Sequence, residues 1–267
     1  MSIEPVIPPR PDGLHPVPPV PPAPAPPTAE DGHPLATWSW YEAVGIYLLA
    51  FLAAGLATVP VLGAAGEESD LANIVATVIA AVTIVAVLLL WLAKAHRGWP
   101  AIVRMPVRGR WRGDAGAGAL FGVGLYPVAV LVVGGIVVIV LQALTGESVQ
   151  APEQVPQDLS PLALVLTIVY ALAIAPFGEE LFFRGILFRA LRDRFGFPVG
   201  ATGSAVAFGL IHYIPGALID AALLMLVMTF VGAALAFIYE RRGSFVAPLA
   251  AHVTFNVIGL ALILALR

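Results

Sequence analysis

From Trp38 to the carboxyl terminus the sequence is dominated by apolar stretches about as long as a bilayer is thick. A helix needs roughly 20 residues to cross about 30 Å of hydrocarbon. Such stretches fall at about 40 to 62, 71 to 93, 115 to 143, 160 to 177, 217 to 238 and 245 to 266, with a shorter one at 199 to 214. Only helices and closed barrels satisfy their backbone hydrogen bonds in lipid, and runs of this length select helices. The expected fold is therefore all-α, a polytopic membrane bundle of about seven spans, six to eight. Composition agrees: 59% of residues are hydrophobic, 12% are charged, and the mean hydropathy is +0.91. A water-soluble domain of this size could not carry those values without exposing apolar surface.

The first 37 residues differ in kind. They hold 13 of the 24 prolines, in runs such as PPVPPAPAPP, and little that could build a core. Residues 1–37 read as a disordered proline-rich cytoplasmic tail, without the basic start and apolar run of a signal peptide. Residues 38–158 then form the amino-terminal spans and 159–267 a second membrane region. In the span at 115 to 143, Gly116, Gly118, Gly122 and Gly124 favour close helix contacts, and its length suggests a tilted or broken helix.

Charge sets the orientation, because loops rich in lysine and arginine stay in the cytoplasm. Lys94, Arg97, Arg104, Arg108, Arg110 and Arg112 separate the second and third spans. Arg189, Arg192 and Arg194 precede the short segment, and Arg241 and Arg242 precede the last span. The opposite loops carry Glu67, Glu68, Asp70, Glu147, Glu153 and Asp158 and no basic residue. The amino terminus is thus expected in the cytoplasm. A net charge of −3 offers no basic surface for nucleic acid, and the absence of cysteine removes disulfides and thiolate chemistry.

Charges inside spans are expensive, about 2.5 to 3.5 kcal/mol each at mid-bilayer, and so point to partners or chemistry. The segment APFGEELFFRG places Glu179 and Glu180 after a Pro-Phe-Gly break, with Arg184 one turn beyond Glu180. At spacing i,i+4, Glu180 and Arg184 share a face and pair, leaving Glu179 the freer carboxylate. AFGLIHY carries Phe208 and His212, and AHVTFN sets His252 and Asn256 at i,i+4 in the last span.

A helix from Glu179 to Arg194, a turn through Gly196 to Gly200 and a return along 201 to 212 would form a hairpin. Glu179 and His212 then lie roughly 25 and 20 Å above that turn, and His252 about 12 to 15 Å into the last span. One plane inside the cytoplasmic leaflet can hold all three. Glutamate beside histidine in a low-dielectric pocket suits general acid/base work on water. Glu179 is the expected base, and His212 the residue that orients the water or shares its proton. His252 and Asn256 could donate to a carbonyl oxygen as it gains charge. The same His212, His252 and Glu179 could instead hold Zn²⁺ with one open position, and spacing does not choose between the two.

The Glu-Glu-x-x-x-Arg, Phe-x-x-x-His and His-x-x-x-Asn motifs, in this order over roughly residues 160 to 266, resemble the CPBP family. That family comprises type II CAAX prenyl proteases, bacteriocin-processing proteins and Abi membrane proteins. The resemblance implies an intramembrane endopeptidase whose site opens toward the cytoplasm, with Glu179, Glu180, His212, His252 and Asn256 catalytic and Arg184 and Phe208 supporting them. It also implies membrane lipid and a peptide or protein substrate as partners, either lipidated or a bacteriocin-type precursor. The alanine-rich, lysine-poor composition points to a bacterial inner membrane. Two other readings use the same residues. A non-catalytic immunity or scaffold protein would tie helices together with them, and an ion pathway would need polar residues beyond His212, where Asp220 and Thr229 are almost all there is.

Overall fold

The computed structural model describes residues 32–65, 69–106, 109–152, 154–156 and 158–266. These form eight helices: α1 (Trp40–Ala65), α2 (Asp70–Ala95), α3 (Trp99–Ile102), α4 (Trp111–Thr145), α5 (Pro161–Phe195), α6 (Phe197–Leu210), α7 (Leu218–Arg242) and α8 (Val246–Ala265). Six are long and apolar enough to cross a membrane, and α6 is shorter. At 1.5 Å per residue its 14 residues rise about 21 Å, less than the hydrocarbon thickness. The expected all-α polytopic bundle is present, with six spans and one partial one. α7 is the central span: 56% of its apolar window is buried, against 11% for α1, α2, α4 and α5.

Two spans are 35 residues long, and both contain wide π turns. In α4 the π turn covers Val128–Val133, directly after Pro127. In α5 there are two, Tyr170–Ile174 and Glu180–Phe188. The Pro-Phe-Gly sequence does not break the chain as expected. α5 runs through Pro176 because the π turn before it changes the hydrogen-bond register instead of ending the helix. Gly178 serves contact rather than a break, since a Cβ there would lie 2.9 Å from Val85 of α2.

Small residues set how closely the spans approach, as they do where lipid removes the hydrophobic drive between helices. A side chain at Gly118 or Gly122 of α4 would collide with the Ala247 or Ala251 carbonyl of α8. Gly116 and Gly124 face open space, so half of the glycine set predicted to make contacts does so. On the other side, Gly209 of α6 lies against Met225 and Thr229 of α7, and Gly232 of α7 against Ala205 and Phe208 of α6.

The basic segments meet at one end of the bundle. Glu240 takes Arg104 at 3.0 Å and Arg192 at 2.7 Å, and Asp114 takes Arg242 at 2.7 Å. The residues before α1 are packed on the same end. Arg189 donates to Pro34 O at 2.7 Å, Ala36 N donates to Asp193 at 2.8 Å, and the Trp38 indole donates to Ile186 O at 3.0 Å. The tail expected to reach residue 37 therefore gives way to docked chain by Pro34. Residues 1–31, Glu67, Glu68, Arg108 and Glu153 lie outside the described residues.

Candidate active site

The second π turn of α5 carries the buried end of the site. Glu180 is fully buried and Arg184 only 1% exposed, so each charge needs the other. Arg184 Nη1 donates to Glu180 Oε1 at 3.0 Å, and its Nη2 donates to Gly232 O on α7 at 3.1 Å. Its guanidinium carbon also stands 4.5 Å from the centre of the Phe208 ring.

His252 of α8 joins the two glutamates. Its Nδ1 is 2.8 Å from Glu180 Oε1, and its Nε2 is 3.7 Å from Glu179 Oε2. A carboxylate held by Arg184 can only accept, so Nδ1 carries hydrogen and Nε2 is the nitrogen turned to Glu179. Glu179 is the more accessible carboxylate, its side chain 19% exposed against 0% for Glu180. Its Oε2 is buried, makes no hydrogen bond among the described residues and is turned toward His252.

Phe208 of α6 holds the histidines from the other side. The His212 ring lies 4.7 Å and the His252 ring 5.7 Å from it, centre to centre. His212 Nδ1 is 2.7 Å from Phe208 O. A carbonyl accepts only, so Nδ1–H donates and Nε2 is left as an acceptor at the end of α6.

Asn256 stands apart from this group. Its Nδ2 donates to Ala171 O at 2.8 Å, across to the first π turn of α5. His252 and Asn256 share a face of α8 as expected, and each already holds a partner on α5. One serves the carboxylates and the other a backbone carbonyl.

The donors considered for zinc are not gathered around one point. A catalytic zinc needs three convergent donors and an open position. His252 and His212 each spend Nδ1 on an acceptor, as ligating histidines also do, and each keeps Nε2. Among the described residues no group of three or more His, Asp or Glu side chains is disposed to hold a metal ion.

Three contributors were not legible in the sequence. The Gly232 and Ala171 carbonyls are atoms that every residue has, so only the bonds they receive mark them. Tyr47 of α1, outside every motif, stacks on Phe182 with ring centres 3.8 Å apart and braces the glutamate turn from the amino-terminal half.

No curated protein and no solved structure matches the chain. Residues 161–258 match the family model described as type II CAAX prenyl endopeptidase, Rce1-like. That stretch runs from the first residue of α5 past Asn256 and so takes in the glutamates, Arg184, Phe208 and both histidines. Motif order, buried geometry and family match coincide there, and over this region the chain is similar to the Rce1-like type II CAAX prenyl endopeptidases.

Proposed function

We infer that this protein is an intramembrane endopeptidase, with residues 159–267 as its catalytic region and 38–158 as supporting spans. The basic end of the bundle faces the cytoplasm, as does the amino terminus, and the membrane is the inner membrane of a bacterium. The observation that carries the reading is a buried histidine held between two carboxylates of unequal exposure. That is the arrangement of a base, its proton partner and the group that orients the partner.

Glu179 takes a proton from water as the water oxygen attacks the peptide carbonyl carbon. The proton is shared with His252 Nε2, and the charge this leaves on the imidazole is balanced by Glu180, itself anchored by Arg184. His212 Nε2 accepts from the other hydrogen of the water and so orients it for attack, and that hydrogen stays on the new carboxyl group. Collapse of the tetrahedral intermediate breaks the C–N bond, and the amine leaves with the proton that Glu179 took. The substrate is a peptide or protein segment at the membrane surface, lipidated or a bacteriocin-type precursor. No step requires a metal.

The test uses the full chain in lipid nanodiscs with internally quenched peptides, farnesylated and unmodified. Glu179→Gln is expected to lower kcat by about 10² to 10⁴, and a zinc chelator to leave the rate unchanged. Wild-type cleavage abolished by the chelator would restore the metal version. Glu179→Gln cleaving at the wild-type rate would remove this base from the mechanism. A folded wild-type protein that cleaves nothing while retaining a biological effect would favour the scaffold reading.

A further inference from the structure

Asn256 has an unusual partner, and the reason lies in the backbone of α5. In the first π turn, Ala175 N–H bonds to Tyr170 O, five residues back. In the same register the next donor would be the N–H of residue 176, and its acceptor would be Ala171 O. Residue 176 is proline and has no N–H. Asn256 Nδ2 stands 2.8 Å from Ala171 O and supplies the missing hydrogen from another helix. Ala171 is half-buried within an apolar span, where lipid cannot donate in place of the missing N–H.

From this geometry we propose that Asn256 is a positioning residue, a latch that satisfies the carbonyl orphaned by Pro176. It thereby stabilises the widened turn of α5 that precedes Glu179. The proline and the asparagine form one device: the first opens the register, and the second keeps it from collapsing or fraying. Three residues beyond Pro176 the chain reaches Glu179, so the latch fixes the height and rotation at which both glutamates meet His252. This differs from direct donation to a reacting carbonyl oxygen, because one of the two Asn256 amide hydrogens is committed to the turn.

A double-substitution cycle decides it, since alanine at 176 brings back the N–H that the proline lacks. Hydrogen exchange of the full chain in nanodiscs is followed for peptides covering residues 170 to 180. Asn256→Ala is expected to speed exchange there about tenfold or more, as loss of the partner of a half-buried carbonyl in an apolar span opens the turn. In a Pro176→Ala background the same substitution should change it less than about twofold. Equal effects in both backgrounds, or none in either, would overturn the latch. Should Asn256→Ala fail to accumulate in membranes, the double variant must accumulate, and its absence would equally count against the proposal. A kinetic arm, which rests on the peptidase reading, uses the farnesylated quenched peptide. A latch predicts that kcat lost in Asn256→Ala returns in the double variant with KM little changed. A kcat that stays low although exchange is restored would make Asn256 a direct participant and sink the positioning role. The exchange arm stands whether or not any peptide is cleaved.

Discussion

His252 is held by Glu180 at 2.8 Å through Nδ1, and this bond aims its second nitrogen at Glu179, 3.7 Å away. The two adjacent glutamates therefore have different work. Glu180 is enclosed by Arg184 and His252, whereas Glu179 is the more exposed of the two. Adjacent residues on a helix point about 100° apart, which is how one turn can feed both sides of an imidazole.

Substituting the two should separate stability from activity. Glu180→Gln leaves Arg184 buried without its counter-charge and is expected to lower stability by roughly 3 to 5 kcal/mol. Glu179→Gln should leave thermal unfolding in detergent close to wild type while lowering kcat by about 10² to 10⁴. Equal melting temperatures for the two variants would contradict the division of roles.

The glycines of α4 give a second contrast. Gly122→Ala pushes a methyl group against Ala251 O and to within 2.9 Å of Thr254, and is expected to destabilise by about 1 to 3 kcal/mol. Gly124→Ala meets nothing and should stabilise by up to about 1 kcal/mol through helix propensity. Thermal unfolding of both variants checks the sign as well as the size.

His96 makes stability depend on pH. It sits just beyond α2, 7% exposed, between the Trp38 and Trp91 rings, with Nδ1 3.0 Å from Thr37. Burial pushes its pKa below the ordinary value, and the Glu42 charge only partly opposes this. The unfolded chain therefore binds a proton first as pH falls. Stability is full above about pH 6.5 and declines below it until the folded-state pKa is reached. Melting temperatures between pH 8 and 5 should fall in the wild type and fall less in His96→Gln. A steeper fall in the variant would reverse the sign.

Trp38→Phe tests the docking of the segment before α1. The change keeps an aromatic ring but removes the N–H that bonds Ile186 O inside the π turn of Glu180. An orphaned buried acceptor costs about 1 to 3 kcal/mol. Exchange of peptides covering residues 180 to 188 should rise, with little change in α7. Unchanged exchange would show that the strap does not support the site.

The amino-acid sequence by itself determined where lipid-length apolar runs lie, because hydropathy is a property of consecutive residues. It also located the pairing of Glu180 with Arg184, because i,i+4 spacing on a helix brings side chains together whatever surrounds them. Tertiary structure decided the rest. Whether Pro176 ends α5 depended on a donor 80 residues further along the chain, Asn256. Which carboxylate His252 binds, and which two of four glycines touch α8, depended on how helices distant in sequence approach. Those approaches rest on backbone carbonyls and small-residue contacts, and neither leaves a mark in composition or periodicity.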